Sequence, residues 1–225
     1  MAIIIWLRIS NLPILSRLLN MLTAQGLACL RGDRLLFKNV GFELKSGGLL
    51  YVLGENGSGK SSLLRMLCGL LMPEEGAIFW DSKKVNENAE NYLPNLTYIG
   101  HLNGLKDDLT ALENLQIAAR LAGNDAGEKK TLAALTAIGI ARCANLPARV
   151  LSQGQKRRVA LATLWIAQSK LWILDEPFAA LDATSTEVLA SRLGEHMANG
   201  GMTIITTHQD VLISAVSTQT LRLSN

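Results

Sequence analysis

Residues 54–61 read GENGSGKS, a match to G-x-x-x-x-G-K-[ST], and the chemistry that this spacing permits is the gripping of a polyphosphate. Gly54, Gly57 and Gly59 let the N–H groups of a loop that also carries Glu55, Asn56 and Ser58 wrap phosphate oxygens with no Cβ in the way. Lys60 is expected to reach the β and γ phosphates, and Ser61, followed by Ser62, offers a hydroxyl to Mg²⁺. The helix these residues open aims its positive N-terminal end at the same anion. The preceding LLYVL reads as a buried strand, which supplies the strand, loop and helix order that the motif requires. Taken alone, the loop says only that a nucleoside triphosphate binds.

A second source of chemistry is KLWILDEP, residues 170–177, where an apolar strand ends in two adjacent acids. Side chains alternate along a strand, so Asp175 is expected to face the metal, through water, while Glu176 points at the γ-phosphate and polarises an attacking water. The competing reading is a solvated turn before Pro177, and the phosphate loop upstream weighs against it.

A third element, LSQGQKRRVALATLWIAQ from Leu151, begins with the cap residue Ser152 and continues as a largely buried helix whose N-terminus is another anion site. Its KRR, Lys156 to Arg158, is expected to form a solvated helix face rather than a nucleic-acid signal. The LSxGQ stretch, the ALD at Ala180–Asp182 and the TTH ending at His208 together resemble the motifs of ATP-binding cassette (ABC) ATPases. That resemblance implies an α/β P-loop domain with a RecA-like core and an inserted helical subdomain. It also implies that the signature of one subunit closes over ATP held by another, so that Ser152, Gly154 and Gln155 act in trans. His208 then contacts the γ-phosphate, and Glu176, His208 and Lys60 form the catalytic set, with ATP and Mg²⁺ as the bound groups. His196, in a polar helical stretch, is expected to be a surface residue instead.

Two positions depart from the ABC pattern. Alignment by eye puts Arg31 where an aromatic residue usually stacks on adenine, and His101 where a glutamine usually links Mg²⁺ to the membrane partner. An arginine can lie flat on a base, and a histidine can bind a metal-bound water, so His101 joins Ser61 and Asp175 in the expected metal set. YIGHLNGLKDDLTALENL, RRVALATLW, LWILDEPFAALD and TTHQ are similar to the ATP-binding subunits of cytochrome c maturation systems, the haem exporter ATP-binding family, from about Leu22 to the C-terminus. That likeness implies a peripheral ATPase on the cytoplasmic face of the inner membrane. Its implied partners are a second cassette and integral membrane subunits of a haem-handling complex, docked near His101 to Asp108. Whether haem is exported or a haem carrier is released stays open, as does a cassette for another substrate or outside transport.

The elements that must position these residues are a β-rich start, the phosphate loop, a helical insertion at about 108–165, then strand, helix and strand. Within 225 residues that amounts to one cassette, over 21–225, behind an extension at 1–20. The extension has apolar patches broken by Arg8, Pro13 and Arg17, and is expected to be either an upstream start codon or a short amphipathic segment. Lys and Arg total 22 against 19 Asp and Glu, too small and too evenly spread an excess for nucleic acid to be a partner. The three cysteines form no CxxC and no CxxCH, so a disulfide framework, a zinc site and covalent haem attachment are not expected.

Overall fold

The computed structural model describes residues 20–124 and 126–223, so the expected extension lies outside the described residues apart from Asn20. Strands β1 (Met21–Arg31) and β2 (Arg34–Lys45) form a hairpin whose register closes on Arg31 opposite Arg34. β3 (Gly48–Leu53) leads into the phosphate loop and α1 (Lys60–Leu67), followed by β4 (Glu75–Trp80), the short β5 (Lys83–Lys84), α2 (Ala89–Tyr92) and β6 (Leu96–Ile99). Helices α3 (Ala111–Leu121), α4 (Glu128–Ala137) and α5 (Gln153–Ala162) come next, then β7 (Leu171–Asp175), α6 (Ala183–Ala198), β8 (Met202–Thr206) and β9 (Ser217–Arg222). The insertion expected at about 108–165 therefore holds three helices, the last ending in a 3₁₀ turn at Thr163–Trp165.

Two sheets carry these strands. An antiparallel sheet has the order β2-β1-β4-β5, and a parallel one has the order β6-β7-β8-β3-β9. The inner strands of a parallel sheet are covered on both faces, and β3, β7 and β8 are accordingly largely apolar and buried, whereas the edge strand β9 reads STQTLR and is mostly exposed. Strand alternation divides their side chains between two cores. Leu50, Val52, Leu171, Ile173, Met202 and Ile204 face a core shared with α1 and the antiparallel sheet. Leu49, Trp172, Leu174 and Ile205 face the opposite core, built with α3, α4, α5 and α6.

Local chemistry sets where the helices begin. Thr110 and Glu113 form a capping box on α3, and Ser152 and Gln155 form another on α5, as the cap expected at Ser152 requires. The Asp182 side chain accepts from Ser185 N to start α6. Buried Asn114 accepts from Lys106 N and donates to the carbonyls of Lys106, Leu109 and Thr110. One side chain thereby satisfies the backbone of the loop that runs from the cleft to α3.

His196 is not a surface residue. Its ring stacks on Trp172 with centroids 3.7 Å apart and planes 2° from parallel, and Nε2 lies 3.3 Å from Met202 O. The sequence around it is polar, but α6 turns this position inward onto β7. Burial, reinforced by the charges of Arg192 and Lys170, pushes its pKa down to about 4 against the pull of carbonyl contacts. The folded state thus disfavours the imidazolium that the unfolded chain forms below pH 6.5, so stability is lost as pH falls from about 6.5 towards 4. We expect His196→Phe, which keeps the stack, to remove about 2 kcal/mol of that acid-side loss. Urea unfolding of parent and variant at pH 7 and pH 4.5 checks this, and parallel pH dependences would show that His196 titrates normally.

Candidate nucleotide site

The cleft at the C-terminal ends of β3, β7 and β8 gathers most of the expected residues. Asn56, Gly57, Gly59, Lys60, Ser61, Ser62, His101, Asp175, Glu176 and His208 line it together with Arg31, Arg34 and Leu36, around a volume of about 530 Å³. That size suits a nucleotide-sized ligand. Crevices outside the carboxyl ends of parallel strands are where open α/β sheets bind ligands.

The loop is built for close backbone approach. Gly59 has φ 99°, and a Cβ there would lie 2.9 Å from the Phe37 ring, so only glycine fits between the loop and β2. Lys60 Nζ donates to Gly54 O at 2.7 Å and to Glu55 O at 3.0 Å, bending the lysine over the loop it belongs to. Gly54 and Glu55 face a neighbouring cleft that also contains Asn56 and His208. Ser58 is buried, and its Oγ has no hydrogen-bond partner among the described residues.

Asp175 is buried and accepts two bonds: Ser61 Oγ donates to Oδ2 at 2.8 Å, and Thr206 Oγ1 donates to Oδ1 at 2.7 Å. Thr206 Oγ1 in turn accepts from Glu176 N at 2.9 Å. Ser61 and Asp175 form a hard oxygen pair of the sort Mg²⁺ takes alongside substrate phosphates. Among the described residues no group of three or more His, Cys, Asp or Glu side chains gathers into an all-protein cage.

Glu176 differs from the simple alternation expected. The strand ends at Asp175, and Glu176 takes φ 50°, in the left-handed region. That turn, rather than strand alternation, is what brings both acids into one cleft. Glu176 Oε1 lies 3.4 Å from His208 Nε2, with the carboxylate mostly shielded and the imidazole exposed.

Lys156 to Arg158 do not form a solvated helix face. Arg157 is only 5% exposed, and its guanidinium donates to the carbonyls of Gly100, Asp175 and Glu176 and to Asn103 Oδ1. Lys156 pairs with Asp107 at 2.9 Å, and Arg158 reaches Asp182 at 3.5 Å. Burial pushes the Arg157 pKa down, while the charges of Asp175 and Glu176 pull it back up. A charge run carries no sign of which member turns inward. The only available signal was the helical period that puts Arg157 on the same face as buried Ala160 and Leu161.

Ser152, Gly154 and Gln155 do not line this cleft. The Gln155 carboxamide is engaged within the chain, accepting from Ser152 N and donating to Cys143 Sγ at 3.6 Å. Arg31 and Arg34 reach the cleft from the tip of the β1–β2 hairpin, so the cation expected in place of an aromatic residue has a second one opposite it.

Thr206 offers a test of this geometry that needs no ligand. Thr206→Val keeps the shape and removes the atom bridging Asp175 and Glu176, leaving a buried acceptor and a donor unpaired. We expect a loss of about 1–3 kcal/mol in denaturant unfolding. A loss below about 0.5 kcal/mol would show that the bridge does not hold the two acids.

Comparison with known proteins identifies the family. The ABC transporter family matches residues 37–179. The chain is 50% identical over 206 residues to the cytochrome c biogenesis ATP-binding export protein CcmA of Nitrosomonas europaea, covering 92% of this chain and 97% of that protein. It is 48% identical over 203 residues to the protein of the same name from Dechloromonas aromatica, covering 90% of this chain and all of that one. Among solved structures, a dimeric ATP-binding cassette in a post-hydrolysis state with ADP and phosphate matches with a TM-score of 0.74 at 26% identity, over 84% of this chain and 88% of that one. The chain belongs to the ABC transporter family, within its branch of cytochrome c biogenesis ATP-binding export proteins.

Proposed function

We propose that this chain is the ATP-hydrolysing subunit of a membrane ABC complex for cytochrome c biogenesis, coupling hydrolysis to haem export or to release of a haem carrier. The observation that carries the hydrolytic part is the Glu176–His208 contact at 3.4 Å in the same cleft as Lys60, Ser61 and Asp175. The haem part rests on relatives named for cytochrome c biogenesis export that share about half their residues with this chain along nearly its whole length.

In this reading Lys60 exchanges its loop carbonyls for the β and γ phosphates, and the loop N–H groups take the remaining oxygens. Ser61 and Asp175, with His101 beside them, would hold Mg²⁺, which when bound neutralises charge on the phosphate oxygens. Glu176 orients water and takes its proton, and His208 contacts the γ-phosphate and steadies Glu176. Three fixed cations, Arg31, Arg34 and Lys60, against the two acids give the cleft a net attraction for a polyphosphate.

Ser152, Gly154 and Gln155 would complete a second copy's site, and so the working unit is a pair of cassettes. Among the described residues no helix is long and apolar enough to cross a membrane. In line with relatives named as ATP-binding export proteins, the partners are integral membrane subunits, with the chain peripheral on the cytoplasmic face of the inner membrane. Residues 21–225 would form the cassette and 1–20 an extension that the chemistry does not use.

Glu176→Gln is expected to keep ATP affinity within about threefold while turnover falls by at least a hundredfold, because the amide preserves size and loses the basic oxygen. Turnover close to that of the parent would remove Glu176 from the mechanism. Lys60→Ala is expected to weaken ATP binding itself, and cells that depend on this chain should lose mature c-type cytochromes, read by haem staining of membrane proteins. Normal staining alongside abolished ATPase activity would overturn the cytochrome role and leave the ATPase standing.

A further inference from the structure

Arg157 has no part in the phosphate chemistry described above, yet it is the most heavily engaged cation among the described residues. Nη2 donates to Asp175 O at 2.7 Å and to Glu176 O at 2.9 Å. Nη1 donates to Gly100 O at 2.8 Å and to Asn103 Oδ1 at 3.3 Å. One side chain on α5 therefore touches both the end of β7 and the loop that follows β6.

The pair of carbonyls on Nη2 is informative. Along an extended strand successive carbonyls point to opposite sides, and one nitrogen cannot take two in a row. The left-handed φ of 50° at Glu176 turns its carbonyl to the side of Asp175 O, so both converge on the guanidinium. An arginine at this position consequently binds one conformation of Glu176 and not the extended alternative. On the other side of the same residue, Glu176 N donates to Thr206 Oγ1. Both peptide groups flanking the carboxylate are fixed, and the carboxylate stays directed at the cleft.

The arrangement is costly as a purely structural device. Arg157 Nε is buried without a hydrogen-bond partner among the described residues, and well-packed apolar side chains stabilise such sites as well or better. Its neighbours extend the connection: Lys156 pairs with Asp107, and Arg149 with Asp108 at 2.7 Å. The loop from Gly100 to Asp108 is thus held by three cations, Lys156 and Arg157 on α5 and Arg149 in the turn before it, of which Arg157 alone also holds Glu176.

We propose that Arg157 is a positioning residue for hydrolysis, which sets the backbone of Glu176 and ties it to the 100–103 loop so that the two move as one. The proposal rests on the reading of Glu176 as the residue that orients water. A shift of the loop, which carries His101 into the cleft, is then a shift of the catalytic carboxylate. Because Arg157 acts through Glu176, its contribution vanishes when Glu176 has lost its basic oxygen.

The test is a double-substitution cycle on the full chain, using Arg157→Lys, Arg157→Gln, Glu176→Gln and the Lys/Gln double variant. Lysine keeps charge and length but cannot span four acceptors, and it serves if Arg157→Gln does not fold. Turnover of Mg-ATP by Arg157→Lys is expected to drop by about tenfold or more, with the ATP dissociation constant within about twofold of the parent. In the Glu176→Gln background the same change should alter the residual single-turnover rate by less than about twofold. Unchanged turnover in Arg157→Lys, a matching loss of affinity, or losses that multiply in the double variant would each overturn the proposal. A parent whose turnover survives Glu176→Gln would instead overturn the assignment of Glu176, and that comparison contains no Arg157 variant.

Discussion

A carboxylate with 3% of its surface exposed is tolerable only if its oxygens are bonded, and the structure depends on how that requirement is met at Asp175. One oxygen takes Ser61 from the start of α1, and the other takes Thr206 from the end of β8. Asp175 and Thr206 are also register partners across the parallel pair β7–β8. A slip of one residue would turn Thr206 to the opposite face and leave Oδ1 bare. The phosphate loop, the acidic strand end and the histidine segment are consequently fixed relative to one another by one side chain, before any ligand contributes.

Register of that accuracy has to come from the core. β7 and β8 are buried along their whole length, with alternate residues committed to two different hydrophobic clusters. Moving either strand by one position would exchange the side chains of the two clusters, Trp172 for Ile173 and Ile204 for Ile205. Because the two clusters differ in shape and partners, packing selects the register, and the register delivers Thr206 to Asp175. His196 contributes on the helical side, where its stack on Trp172 locks α6 over β7 at the price of an imidazole that must stay neutral.

The phosphate loop, the acidic strand end and the cap at Ser152 were legible because each is a local pattern whose chemistry is complete within a few residues. The apolar strands that precede the phosphate loop and the two acids were legible for the same reason. Three features were not. The inward turn of Arg157 and of His196 depends on what α5 and α6 pack against, and a polar neighbourhood in sequence masks it. The left-handed turn at Glu176 depends on Thr206 and Arg157, which lie 30 and 19 residues away. A spacing argument that continues the strand through Glu176 therefore misses the turn by which this residue reaches the cleft.

The signature segment shows how one residue can serve two surfaces. A Cβ on Gly154 would lie 2.8 Å from Ala180 O, so the chain's own packing requires glycine there, whatever that backbone does towards a second copy. Ala180 itself takes φ 61°, bending the loop after Glu176 back onto the start of α5, and Arg158 closes the far end of that loop through Asp182. With Arg157 on Glu176 O, α5 meets the 176–182 loop at three points, so the two shift together. Ser152 is less constrained. Its Oγ accepts the capping bond from Gln155 N and keeps its own O–H to donate, so capping α5 and contacting an anion on another molecule are compatible uses of one hydroxyl. A displacement of α5 would therefore carry Ser152 on its outer end and Glu176 on its inner side together.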